Sequence, residues 1–310
     1  MGKQLVKIVK EICEKEKLKF QSFSDEYLLL IENDQKKMFI LGNKFPNNNA
    51  AIEQICNDKS ALSDLLEYYH IPHVPHHYLL SPNISKEEDY LTLPYQLFDK
   101  YQYLVCKANR GTGGKNVLKV EKKEQIKEVI DNLFNVTSSI AICPFIKIIN
   151  EYRVLVLNGK VYYAFKKIKP YIIGDGKKTV KELLKDYNNY DKLMEIDNLD
   201  LDYLPKENER FELSWKHNLG GGANPKLVTD NQLLLILEKL AIDCVNKLDI
   251  SFASIDIIEK ENNLFEVLEI NSGVMIENFS SYCDQYYNLS KNAIREAIIS
   301  FLGVNNEKIH

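Results

Sequence analysis

The chain has no CxxC pair, no apolar run long enough to cross a bilayer and no excess of basic charge. Each absence narrows what it can do. Six cysteines (Cys13, Cys56, Cys106, Cys143, Cys244 and Cys283) are scattered over 310 residues. Most stand in apolar surroundings, as reduced core thiols do, so a cytoplasmic compartment is expected rather than a disulfide framework. The formal net charge of −4 argues against a general nucleic-acid binder, which is normally basic. No segment approaches the roughly 20 apolar residues of a membrane span. MGKQLVKIVK shows no signal-peptide pattern, and Val6 stands where a myristoylation signal needs Ser or Thr. Repeats, heptads and low-complexity tracts are missing. So is any convincing Ser-His-Asp or Cys-His set, which removes the usual protein nucleophiles.

What remains is the composition of an ordinary globular enzyme, 45% hydrophobic and 27% charged, with length for two or three packed units. Apolar spacing predicts a helix over 3–17, short strands at Tyr27–Ile31 and Met38–Leu41, and helices in 50–56 and KSALSDLLEYY. HIPHVPHHYLL carries His70, His73, His76 and His77, but its two prolines read as an extended surface connector, without the Cys or carboxylates of a metal site. Helices are expected near Lys86–Lys100 and Lys122–Phe134, with strands YLVCKA, NVLKV and SIAICPF between and after them. Further on come a hairpin across Gly159, a helix in KTVKELLKDY, a long helix at Asn231–Lys247 and a terminal helix near Ser290–Leu302. Units are expected at 1–75, 76–145 and 146–310.

The most informative stretch is Phe252 to Asn271, two apolar strands joined by a polar turn. Glu269 and Asn271 are two apart and share a strand face. With the turn centred on Glu261-Asn262, Ser254 falls opposite Glu269 and Asp256 lies diagonally beside it. Two carboxylates and an amide on one rigid face suit Mg²⁺, which takes one or two carboxylates and completes its shell with substrate phosphates. A slip of one residue would separate the carboxylates.

Two glycine-rich turns accompany the hairpin. CKANRGTGGKNVLKV is not a Walker loop, because Asn109 stands where that motif needs Gly, and no helix follows it. Gly111, Gly113 and Gly114 can still fold backbone N–H groups over phosphates, with Lys107 pointing a cation at the same place. HNLGGGANP offers Asn218 behind Lys216. In NEYRV, Glu151 and Arg153 share a face, and only one of Lys166 and Lys167 on the partner strand can face inward.

A lysine-ended strand, a Gly-rich hairpin, an acid-bearing strand pair, an Asn/Gly loop and a terminal D…ExN hairpin, in that order, resemble the ATP-grasp superfamily. The similarity covers about 57–279 and is strongest to the ATP-grasp module of cyanophycin synthetases and fused glutathione synthetases. It is carried by DKSALSDLLEYYHIPHVP, CKANRGTGGKNV, EYRVLVLNGKV, GDGKKTVKELL, HNLGGGA and SIDIIEKENNLFEVLEINSG. The resemblance implies an α+β fold in which two α/β subdomains grip ATP, behind a small N-terminal domain. It implies Lys59 and Lys107 on the phosphates, with Gly111, Gly113 and Gly114 closing over them. Cys143, Phe145 and Ile146 would lie along adenine and Glu151 on ribose, with Lys167 also at the nucleotide. Asp256, Glu269 and Asn271 would hold one or two Mg²⁺ ions, or Mn²⁺. Two features depart from the family: Cys143-Pro144 replaces an acidic linker residue, and Ser254 stands where several relatives carry arginine. Arg153, Lys166, Lys167 or Lys216 would then steady the reacting oxyanion, with Arg153, Lys216 and Asn218 as the catalytic set and Arg153 and Tyr282 as acceptor contacts.

The reaction so implied is carboxylate activation by ATP to an acylphosphate, followed by amine attack, with an amino acid or short peptide as substrate. The alternatives are a peptide- or protein-modifying ligase, a non-catalytic ATP-binding module and a phosphotransferase. Ligases of this kind are often homodimers; no nucleic acid or membrane partner is expected.

Overall fold

Helical spacing of Leu5, Ile8, Val9, Ile12 and Cys13 makes the first element of the computed structural model, which describes residues 2–111, 113–114, 116–187, 190–193 and 199–304. Helix α1 (Lys3–Glu16) buries that stripe and ends at Lys17, whose φ of 56° is left-handed. An antiparallel sheet follows, ordered β1 (Lys19–Phe23), β2 (Leu28–Glu32) and β3 (Lys37–Leu41). Leu29, Ile31, Met38 and Ile40 alternate inward onto α1. The sequence did not announce β1, because KFQSF is mostly exposed and has no apolar alternation. Two helices come next, α2 (Ala50–Asn57) and α3 (Lys59–Tyr68). Asn49 and Asp58 cap them by accepting from the N–H groups of Ile52 and Ala61.

The second sheet comprises β4 (His77–Leu80), β5 (Leu104–Ala108), β6 (Val117–Val120) and β7 (Ser139–Pro144), in the spatial order β4-β7-β5-β6. Helices α4 (Pro82–Ser85), α5 (Thr92–Tyr101) and α6 (Ile126–Phe134) accompany it. Leu97, Ile126, Ile130 and Leu133 pack on Leu104, Cys106, Ile140 and Ile142, covering one face. The helix expected over Lys86–Lys100 begins only at Thr92, because Lys86 closes α4 in the left-handed region (φ 61°). The connector before β4 is not a surface strand: Val74 and His76 are buried.

The largest sheet is ordered β12-β9-β8-β13-β14. Its strands are β8 (Asn150–Leu157), β9 (Lys160–Ile168), β12 (Asn224–Leu227), β13 (Phe252–Lys260) and β14 (Leu264–Asn271). A separate pair, β10 (Tyr171–Ile173) and β11 (Arg210–Glu212), carries α7 (Val180–Leu184), which a Thr179–Glu182 capping box opens. Helix α8 (Asn231–Lys247) covers the face of Val154, Val156, Ala164, Ile255 and Ile257. Against the other face, Leu155, Leu157, Tyr163, Phe165 and Phe252 join α1, α9 (Glu277–Ser280) and α10 (Asp284–Leu302) in one core. Among the described residues no helix is long and apolar enough to cross a membrane.

Strand alternation then places the polar residues. Arg153 and Glu151 continue the face of Leu155 and Leu157, Lys167 that of Phe165, and Asp256 that of Phe252. They emerge where that face leaves its apolar core and meets the open face of the second sheet.

Candidate functional site

Asp256 is at the centre and 2% exposed. In the β13–β8 register it lies directly opposite Arg153. The guanidinium donates to both carboxylate oxygens, Nε to Oδ1 at 2.7 Å and Nη2 to Oδ2 at 2.7 Å. Lys167 Nζ reaches Oδ2 at 2.9 Å and Glu151 Oε1 at 2.5 Å. Lys167 is therefore the inward lysine, while Lys166 lies on the opposite face, beside Tyr152. Burial alone would raise the Asp256 carboxyl. The fields of Arg153 and Lys167 outweigh it and hold the group down at about 2.

The hairpin corrects the expected register. Asp256 pairs directly with Glu269, and Ser254 with Asn271. The turn itself sets Lys260 against Leu264 and Ile257 against Val267. Continued unbroken, that register would place Asp256 against Leu268 and turn Glu269 to the wrong face. A bulge between Asp256 and Ile257 leaves Leu268 without a partner and restores the alignment. Asn271 Nδ2 stands 3.5 Å from Asp256 Oδ2.

Two buried lysines face Glu269 from the other side of the cleft. Lys59, at the start of α3, lies 3.5 Å from Glu269 Oε1 and donates to Gly111 O at 2.7 Å. Lys107, on the open face of the second sheet, lies 3.9 Å from the same oxygen. Asp58 fixes this corner, accepting from Asn109 Nδ2 at 2.8 Å and Arg110 Nε at 3.1 Å while capping α3. Arg153, Lys167, Lys59 and Lys107 thus surround Asp256, Glu269 and Glu151. Four cations against three carboxylates leave a surplus of positive charge, suited to an anion.

The two glycine turns meet. Asn218 Nδ2 donates to Gly113 O at 2.8 Å, and Asn218 Oδ1 accepts from Gly220 N–H at 3.0 Å. Gly114 has φ +70°, and a Cβ there would stand 2.7 Å from Asn218 Nδ2, so the contact needs glycine on both counts. Lys216 Nζ reaches Val117 O at 3.2 Å, just beyond the same turn. Asn218 and Lys216, in the segment before β12, therefore hold the turn of Gly113 and Gly114, while Lys59 of the charged cage holds Gly111.

In the expected adenine linker, Phe145 N–H is already donated to Tyr103 O at 2.9 Å, so that main-chain donor is spent. Cys143 sits in register with Val105 on the open face, and burial pushes its thiol pKa up. Cys143, Phe145, Ile146, Val105, Ile258 and Leu268 form an apolar cluster between the two sheets, of which Phe145, Ile146 and Leu268 are only partly buried.

Three polar residues at the site were not singled out as functional in the sequence. His76, His217 and Ser254 are 5%, 6% and 3% exposed. His76 Nε2, His217 Nε2 and Ser254 Oγ are buried without a hydrogen-bond partner among the described residues. No sequence signal separates His76 from its neighbours His70, His73 and His77; the signal is the orphaned atom itself. Tyr282, expected at the acceptor, is 55% exposed and stacks on Tyr286.

The donor set of Asp256, Glu269 and Asn271 is all oxygen, as a hard divalent cation requires. Among the described residues no group of three or more His, Cys, Asp or Glu side chains encloses a metal. A cation held here would draw its remaining ligands from phosphates or water, the habit of Mg²⁺.

The fold that these elements define is the ATP-grasp fold, as the resemblance in the motifs implied. In sequence the chain is similar to the glutathione biosynthesis bifunctional protein GshAB of Listeria monocytogenes, 26% identical over 234 residues, covering 67% of this chain and 30% of that protein. Among solved structures it is similar to a bifunctional glutathione synthetase from Pasteurella multocida, with TM-score 0.59 and 13% identity over 96% of this chain and 44% of that one. A D-alanine–D-alanine ligase from Bacillus anthracis gives TM-score 0.55 and 17% identity, covering 81% of this chain and 70% of that one. The same ligase complexed with ATP gives TM-score 0.53 and 16% identity over 81% of this chain and 69% of that one. No family model matches the chain. The chain spans less than half the length of either bifunctional protein.

Proposed function

We infer that this chain is an ATP-dependent carboxylate–amine ligase, joining an amino acid or short peptide to an amine through an acylphosphate. One observation carries the reading: four buried or half-buried cations surround the D…ExN carboxylates in the cleft between two sheets, beneath a glycine loop held by Asn218. The ATP-bound relative of the same fold supports ATP as the anion.

In this reading Lys59 and Lys107 bind the β- and γ-phosphates under Gly111, Gly113 and Gly114. The patch of Cys143, Phe145 and Ile146 takes adenine, and Glu151 the ribose. Mg²⁺ on Asp256, Glu269 and Asn271 supplies neutralisation of phosphoryl charge when bound. Arg153 stands where charge builds up during transfer and replaces, from the neighbouring strand, the cation absent at Ser254. Lys216 and Asn218 hold the loop down and exclude water, which would otherwise hydrolyse the acylphosphate. The division at 75/76 and 145/146 and a cytoplasmic location belong to the same reading. So does a homodimer, for which the outward side chains Phe39 and Leu41, 52% and 48% exposed, supply apolar surface.

The test is release of ADP and phosphate from the chain with ATP and Mg²⁺, screened against pooled amino acids and dipeptides. A responsive pool whose signal disappears in Asp256→Ala and Glu269→Ala supports the ligase. Nucleotide binding without turnover in every pool overturns it.

A further inference from the structure

His76 is held more firmly than any exposed histidine needs to be. Its backbone N–H donates to Ser63 Oγ at 2.9 Å, and its Nδ1 lies 2.9 Å from Val74 O. A carbonyl only accepts, so the proton sits on Nδ1 and Nε2 carries a bare lone pair. That atom is buried and has no partner among the described residues. The ring belongs to the open face of the second sheet. Tyr78 is in register with Ala141, and Ala141 with Lys107; His76, two residues before Tyr78, shares that face.

A cavity of about 20 Å³, lined by Lys59, His76, Gly111, Glu269 and Asn271 among others, opens beside it. That volume admits one water. The two lysines differ in what they have left to donate. Lys59 already reaches Gly111 O, Asn109 O and Glu269. Lys107, 7% exposed, has among the described residues only the 3.9 Å pair with Glu269. An acceptor without a donor thus shares a face of the sheet with an ammonium that has protons unspent. Burial, then the fields of Lys107 and Lys59, keep the imidazole neutral and able to accept.

We propose that His76 is a positioning residue: through one water its Nε2 accepts from Lys107 Nζ, and so aims the ammonium at the bound polyphosphate. The proposal rests on the nucleotide reading above and adds to it a residue that does not touch the ligand.

The experiment measures Mg·ADP binding to the full chain by calorimetry, with two substitutions that separate the ring's two nitrogens. His76→Asn keeps a donor near Val74 O but loses the Nε2 acceptor. His76→Gln returns a carboxamide oxygen at that reach. Binding is expected to weaken roughly tenfold in His76→Asn and to recover in His76→Gln. In a Lys107→Met background His76→Asn should add little, because the two act as a unit. Equal binding by wild type and His76→Asn overturns the proposal, and so do fully additive losses. A second measurement needs no histidine variant to fold: the imidazole ¹⁵N spectrum of histidine-labelled protein with and without Lys107→Met. The Nε2 resonance of His76 should move when the lysine is removed, and an unmoved resonance overturns the proposal. Wild type that binds no Mg·ADP defeats the nucleotide reading and with it the aim at a polyphosphate, while the spectrum separately decides whether His76 Nε2 accepts from Lys107.

Discussion

At the scale of single residues the site is a problem of buried charge. Asp256 is one of the least exposed carboxylates in the chain, and its stability depends on two cations that cannot leave it uncompensated. Arg153→Met removes the bidentate partner and leaves the carboxylate with Lys167 alone. Breaking a buried pair from one side costs about 3–5 kcal/mol, whereas replacing both members by apolar groups is often neutral. Urea unfolding should therefore show Arg153→Met destabilised by about 2–4 kcal/mol, since Lys167 retains part of the compensation, and Arg153→Met/Asp256→Leu restored towards wild type. Equal losses in the two variants would refute the buried-pair account. His76 gives a pH dependence of definite sign. Burial and the neighbouring lysines hold its folded pKa well below 6.5. As pH falls through about 6.5 the unfolded chain takes the proton first, so stability is full above that value and declines below it by about 1.4 kcal/mol per pH unit. Between pH 6 and 5 the His76→Gln protein should lose stability less steeply than wild type. Parallel slopes would show that the ring is not held neutral.

At the scale of elements, the turns around the cleft are short and depend on contacts with one another. Asn218 ties the turn Leu219–Gly221 to Gly113 by one hydrogen bond across the cleft. Such a bond contributes about 1 kcal/mol net. Asn218→Ala should speed amide exchange at Gly114 and Asn116 about fivefold while leaving β5 and β7 protected. Unchanged exchange at both amides would mean the loop is held by other contacts. The sequence shows most of these elements, since D…ExN, the two glycine turns and NEYRV are short and locally coded. It does not show the bulge at Leu268. The turn register and the strand face disagree by one residue, and only the bulge reconciles them. That depends on packing between the two sheets, where Leu268 lies against Val105 and Cys143. Lys167 was undecided against Lys166 for a related reason: a strand's alternation is legible, but which face meets the cleft is set by strands far away in sequence. His76 was illegible because its significance is an unpaired atom, which exists only once the chain has folded around it.

At the scale of the whole molecule, the N-terminal sheet and the sheet of β8, β9 and β12 to β14 do not have separate cores. Phe279 is 1% exposed and stacks on Tyr163, Phe165 and Tyr286 at centroid distances of 4.4, 4.7 and 4.4 Å. It thereby joins α9, the face that carries Arg153, and α10. Helix α10 in turn packs on α1, with Lys291 paired to Glu11 at 2.5 Å and Arg295 to Glu16 at 2.6 Å. The sheet of β4 to β7 instead closes its own core with α5 and α6. Phe279→Ala opens a cavity in the shared core and should cost about 3–5 kcal/mol. Because that core is common, the loss belongs to both sheets at once. Exchange protection of α1 and of β9 should fall together and by the same factor, while β5 and β7 keep theirs. Hydrogen exchange followed peptide by peptide reads this directly. If α1 lost protection while β9 kept it, the N-terminal unit would be an independent module, and the face that presents Arg153 and Asp256 would not need it.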